Sequence, residues 1–215
     1  MDLEDLRAVL FDMDGTLVDS DAAVERAWHT WAAEFRVDPA AVLAVAHGRP
    51  SEPTVREMRP DLDDAAVAAA AARQLELQYT DLVDVREIPG AHSLLRLLDV
   101  LGLPWAVVTS ADRRLAAARL GAAGLPTPAT LVTSEDISEG KPSPEGYLKA
   151  AAALGVEPAA CLVVEDSDPG LAAGYGAGMR TAALKGLRGD LTLSGLPDLA
   201  DLLSEWTPPF PAPAS

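Results

Sequence analysis

The chain has little of what would tie it to a membrane, an oxidising compartment or a polyanion. A single cysteine, Cys161, in 215 residues has no partner for an internal disulfide, which fits a reducing compartment. No apolar run approaches the ~18 residues that cross a bilayer. The start, "MDLEDLRA", lacks the basic-then-apolar layout of a secretory leader. A cytoplasmic protein with no membrane partner is expected. Basic residues are few: Lys plus Arg number 17 against 33 Asp plus Glu, a formal charge of −16. Such a surface repels a polyphosphate backbone, so nucleic acid is not an expected partner. It also disfavours small anions unless a local positive centre draws them in, and a bound metal would be one such centre.

What is present is ordinary globular material, 49% hydrophobic and 23% charged, long enough for one sizeable domain or a domain with a smaller insertion. "RAVLFDM" reads as a short buried strand, because its apolar residues run together instead of alternating. The stretches "DAAVERAWHTWAAEF" and "DDAAVAAAAARQLELQYTDLV" are Ala-rich, free of Gly and Pro, and apolar at helical spacing. Asp19, Ser20 or Asp21 suits the N-cap of the first, and Asp61 or Asp63 that of the second. After the turn "IPGA", strands "PWAVVTSA", "ATLVTSED", "ACLVVEDS" and "RTAAL" alternate with helical segments. That alternation predicts βαβ units and a parallel sheet covered on both faces. The first strand has no helix of the core directly after it, so the helical block is an insertion within the first crossover. The expected division is a core of residues 1–18 and 88–207, a helical cap of 19–87, and a proline-rich tail of 208–215.

In an open parallel sheet, ligands bind beyond the carboxyl ends of the strands. The first strand ends at Asp12 and Asp14, the second long one at Thr109 and Ser110. The third ends near Ser134, Glu135 and Asp136 and leads into "GKPSPEGY" with Lys141, and the fourth ends at Glu165, Asp166 and Ser167. Several carboxylates in one cleft repel each other unless a cation joins them, and an all-oxygen donor set suits Mg²⁺. Ser110 is expected to open a helix, where its hydroxyl and the backbone amides of Thr109 to Ala111 suit a phosphoryl oxygen. Lys141 would neutralise a second oxygen, its turn held by Pro142, with Ser143 as N-cap and Pro144 at the first helical position. One carboxylate would act as nucleophile toward phosphorus and another as acid and base.

The motifs "DMDGTLVDS", "VVTSA", "GKPSPEGY" and "VVEDSDPG" resemble, in order and rough spacing, the four motifs of the haloacid dehalogenase superfamily of phosphohydrolases. The resemblance covers nearly the whole chain. It implies an α/β modified Rossmann core with a small α-helical cap inserted after the first motif. It further implies Asp12 as nucleophile and Asp14 as acid/base. Mg²⁺ would be held by Asp12, the Asp14 carbonyl and Asp166, with Glu165 assisting, and the transferring phosphoryl group by Ser110 and Lys141. Asp14 disfavours a dehalogenase, whose first motif lacks the second acid. Lysines occur only at 141, 149 and 185, so the cap has none to form the Schiff base of a phosphonatase.

The expected activity is therefore a Mg²⁺-dependent phosphatase acting on a small phosphorylated metabolite, a sugar or polyol phosphate. In the cap, "AHGRPSEPTVREM" is similar to a segment of the small sugar-phosphate phosphatases, which places Arg49 first and His47 second as specificity residues. The alternatives are a β-phosphoglucomutase-like mutase or a phosphoglycolate phosphatase-like enzyme. Mutases carry a serine and lysine after the second motif where this chain has Asp112 and Arg113. A non-catalytic relative ranks last, because no motif residue is missing. Trp28, His29 and Trp31 are expected to pack between cap helices. Oligomeric state is left open, a monomer being compatible.

Overall fold

The computed structural model describes residues 5–46 and 50–206. In chain order the strands are β1 (Ala8–Phe11), β2 (Val18–Asp19), β3 (Arg86–Glu87), β4 (Trp105–Val108), β5 (Thr130–Val132), β6 (Cys161–Glu165), β7 (Arg180–Ala183) and β8 (Leu191–Thr192). The helices are α1 (Asp21–Phe35), α2 (Pro39–Ala46), α3 (Ser51–Met58), α4 (Asp64–Thr80), α5 (Ala91–Leu101), α6 (Arg113–Ala122), α7 (Glu145–Leu154), α8 (Asp168–Gly176) and α9 (Leu196–Ser204).

Six strands form one parallel sheet in the order β5-β4-β1-β6-β7-β8. β1 lies inside it, with Leu10 opposite Ala106 on one side and Val163 on the other. All four of its residues are buried, as its continuous apolar run requires for a strand covered on both faces. One face of the sheet packs on α5 and α9 through Leu94, Leu95, Leu98, Leu196 and Leu199. The other packs on α7 and α8 through Tyr147, Ala150 and Ala173. The sheet's order brings the carboxyl ends of β1, β4 and β6 side by side, so residues distant in sequence meet there.

Helices α1 to α4 bury a separate apolar cluster, with Trp28, Trp31, Val42, Val55 and Val67 at its centre. Trp31 stacks on Phe35 with centroids 4.7 Å apart and donates its indole N–H to the Ala70 carbonyl at 2.9 Å. That satisfies its one polar atom inside an apolar core. His29 is exposed, so the packing between cap helices expected of it along with the two tryptophans is not found. The chain enters and leaves this helical block through the antiparallel pair β2 and β3, Val18 opposite Glu87 and Asp19 opposite Arg86.

The starts of α1 and α4 fall at expected caps, and those of α6 and α7 lie two and one residues later than expected. Asp63 caps α4 by accepting from the Ala66 amide at 2.8 Å, as expected. Ser20 stands at the N-cap of α1 without capping it; its hydroxyl is engaged elsewhere. Ser110 does not open α6: Asp112 does, accepting from the Leu115 amide at 2.7 Å. α7 starts at Glu145 after Pro144, one residue later than expected, with Ser143 accepting from the Glu145 amide at 3.4 Å.

Candidate active site

Asp12 follows directly on β1 and is nearly buried. The chain then turns at once: the amides of Leu17 and Val18 donate to the Met13 carbonyl at 2.8 and 2.9 Å. Gly15 takes φ +83°, a conformation side chains disfavour, and a Cβ there would lie 2.1 Å from Asp166 Oδ2. The turn thus brings the Gly15 backbone against the loop after β6.

At the centre of that edge stands Lys141. Its ammonium bonds Asp12 Oδ1, Glu165 Oε1 at 2.6 Å and the Val108 carbonyl at 3.3 Å, so it touches the ends of three strands. Glu165 is fully buried, and donors surround it. Lys141 and the Tyr147 hydroxyl (3.0 Å) share one oxygen. The other takes the Asp166 amide (3.0 Å), the Ser167 amide (3.2 Å) and the Ser167 hydroxyl (2.9 Å). A buried carboxylate needs such satisfaction. Gly170 makes room for it, since a Cβ there would sit 1.7 Å from Glu165 Oε1.

Asp12 and Glu165 share this one ammonium, with Asp166 close by, and the ionisation follows. Burial, with the charges of Glu165 and Asp166, pushes the Asp12 carboxyl well above its usual range against the pull of Lys141. Burial works against the Lys141 ammonium, but Asp12 and Glu165 outweigh it and raise its pKa. Burial likewise lifts the Asp166 carboxyl, opposed by Lys185, whose ammonium lies 2.8 Å from Asp166 Oδ2. Oxygens of Asp12, Glu165 and Asp166 lie within 4.8 Å of one another, a grouping able to hold a metal ion. Hard oxygen donors suit a hard divalent cation.

Asp14 stands apart from that cluster. Its Oδ1 accepts from the Ser20 hydroxyl at 2.6 Å, and its Oδ2 pairs with Arg119 Nη1 at 2.7 Å. Ser110, with Thr109 and Ala111, lines a cavity of about 550 Å³ that also exposes Asp12, Asp14, Lys141 and Asp166. The Ala111 amide is taken up by the Thr109 hydroxyl at 3.1 Å. The helical block roofs the cavity with Trp28, Ser51, Leu75 and Gln78. Arg49 and His47 lie outside the described residues. Arg119 and Ser20 carry no site role in the sequence reading. Arg119 sits in an Ala-rich helix, and the adjacency of β1 and β4 brings it to Asp14.

A carboxylate next to a fixed ammonium, with a second carboxylate and a roofed cavity beside it, is the equipment of a phosphohydrolase with a covalent carboxylate step. The chain belongs to the haloacid dehalogenase-like hydrolase family, whose profile matches residues 6–178. It is 42% identical over 178 residues to hexitol phosphatase A of Escherichia coli (strain K12), covering 83% of this chain and 82% of that protein. It is 33% identical over 192 residues to 2-deoxyglucose-6-phosphate phosphatase 1 of Saccharomyces cerevisiae, covering 81% and 78%. A crystal structure of β-phosphoglucomutase from Clostridium difficile shares the fold, with TM-score 0.82 over 90% of this chain and 93% of that one at 18% identity.

Proposed function

We propose that the protein hydrolyses a small phosphate monoester, a sugar or polyol phosphate, through a phosphorylated Asp12. The observation that carries this is the Lys141 bridge between Asp12 and Glu165 at the floor of the cavity. An ammonium fixed there neutralises a phosphoryl oxygen while the carboxylate beside it faces phosphorus. The division into a core of 1–18 and 88–207 and a cap of 19–87 belongs to the same reading, as does a cytoplasmic location. Among the described residues no helix is long and apolar enough to cross a membrane.

In the first half-reaction Asp12 bonds to phosphorus, the ester P–O bond breaks, and Asp14 gives the leaving oxygen a proton. In the second, water attacks phosphorus as Asp14 takes its proton, and the Asp12–phosphorus bond breaks to release phosphate. Ser110 and Lys141 hold the phosphoryl oxygens, with Thr109 and Ala111 shaping the loop. Mg²⁺ held by Asp12, the Asp14 carbonyl and Asp166 would supply the missing positive charge. Glu165, its oxygens occupied by Lys141, Tyr147 and the loop after β6, assists by fixing the lysine.

The substrate class is supported by the relatives, named for hexitol and 2-deoxyglucose-6-phosphate phosphatases. The lining supports it too, since the Ser51 and Ser134 hydroxyls lie beside the apolar faces of Trp28 and Leu75 and can meet substrate hydroxyls. A mutase needs a cation for a second phosphate. Arg113 is instead paired outward with both oxygens of Asp136 at 2.8 Å, and Asp112 is the cap of α6. A panel of polyol, hexose, phosphoglycolate and nucleotide phosphates, assayed with and without Mg²⁺, tests the proposal. Release of phosphate from polyol or hexose esters, abolished in Asp12→Asn, is expected. No turnover of any ester, or equal turnover in the variant, contradicts it.

A further inference from the structure

The guanidinium of Arg119 lies in a helix whose neighbouring buried positions, Leu115, Ala116 and Leu120, are apolar, and the residue is only 4% exposed. A buried cation is costly, and stability alone would be served as well by an apolar residue of similar size. Arg119 therefore needs another reason. Its two terminal nitrogens point in different directions: Nη1 to Asp14 Oδ2 at 2.7 Å in the core, and Nη2 to Gln78 Oε1 at 2.5 Å on α4 of the helical block. Gln78 donates at 2.7 Å to Gln74 Oε1, which also accepts from the Ser51 hydroxyl at 2.6 Å. A continuous polar chain thus runs from the roof of the cavity to the Asp14 carboxylate. The other oxygen of that carboxylate is held by Ser20, next to the β2–β3 crossing.

We propose that Arg119 is a positioning residue, which holds the Asp14 carboxylate in place for proton transfer and does so fully only while α4 is seated over the core. The proposal rests on Asp14 being the acid/base of the reaction above. Two features set it apart from a direct grip on substrate. Both terminal nitrogens are already engaged by protein, and one partner is the acid/base itself. When the helical block lifts, Gln78 leaves, and the guanidinium keeps its bond to Asp14 but loses the contact that fixes its orientation from the other side. Proton delivery is then tied to a closed cavity, from which bulk water is excluded.

The test uses the full chain and compares kcat/KM for sorbitol 6-phosphate, whose alkoxide must be protonated to leave, with p-nitrophenyl phosphate, whose phenolate leaves unaided. Asp14→Asn should lose about 100-fold or more on the alkyl ester and far less on the aryl ester. Arg119→Met should show the same split at about 10-fold, and Gln78→Met the same split to a smaller extent. In the double variant Asp14→Asn/Arg119→Met, the alkyl ester should be cleaved no more slowly than by Asp14→Asn alone, because one residue acts through the other. A loss that is equal on both esters, or one that persists in the Asp14→Asn background, makes Arg119 a substrate contact and overturns the proposal. If melting shows Arg119→Met to be unfolded, Arg119→Lys takes its place, and its alkyl loss must likewise vanish in that background. Full activity of Asp14→Asn is a separate result: it overturns the acid/base reading, and this proposal with it.

Discussion

Asp12 and Asp14 are one residue apart, yet they sit in opposite electrostatic surroundings. Asp12 is buried against Lys141 among other carboxylates; Asp14 is partly exposed and held between Ser20 and Arg119. The acids and Ser110 were legible in the sequence, because each stands at a strand end where a parallel sheet gathers ligands, and Lys141 because it follows in the loop after β5. Arg119 and Ser20 were not. Their partners lie across the sheet order or across a turn, and a lone arginine in an Ala-rich helix carries no periodic signal. Cys161 is fully buried at the start of β6. Burial pushes its thiol up to about 11. The unfolded chain releases that proton at lower pH than the folded one. The thiol's contribution to stability is therefore complete below the free-thiol range and is lost as pH rises toward about 11. At pH 8 the native protein should not react with a disulfide reagent, whereas the unfolded protein should release one equivalent; rapid native labelling would contradict this.

At the scale of elements, β1 and β4 to β7 were visible as short apolar runs bounded by polar clusters, and the long helices as Ala-rich periodic segments. β2, β3 and β8 were not, being two residues each and partly polar, too short for any period to register. The start of α6 shifted from Ser110 to Asp112 because a carboxylate competes well for a helix's first amides. The loop from β6 to α8 shows how an element carries the site. Glu165 ends the strand, Ser167 caps the helix by accepting from Gly170 at 3.2 Å, and Gly170 leaves space for the carboxylate. Gly170→Ala should therefore lower stability by about 1–3 kcal/mol, the usual cost of overpacking. It should also reduce turnover, because Glu165 must shift and Lys141 with it. Denaturant midpoints together with kcat check this; a variant unchanged in both would show that the crowding is relieved without moving the lysine.

For the whole molecule, a chain of formal charge −16 works on an anionic ester only by concentrating positive charge inside. Lys141, Lys185 and Arg119 line the cavity, each already paired with an acid. This balance is why the acid cluster calls for a divalent cation before a phosphoryl group enters. The helical block closes the same cavity from above, with Trp28, Ser51, Leu75 and Gln78 lining it opposite the acids at the sheet's edge. The step that decides the proposed mechanism is the passage of phosphorus through Asp12. Its most direct test is to quench the enzyme during turnover of sorbitol 6-phosphate with Mg²⁺ and reduce it with borohydride, which converts an aspartyl phosphate to homoserine. Peptide mass spectrometry should find homoserine at position 12, and only when ester and Mg²⁺ are both present. Sustained turnover with Asp12 unmodified, or with the label on another residue, would contradict the account.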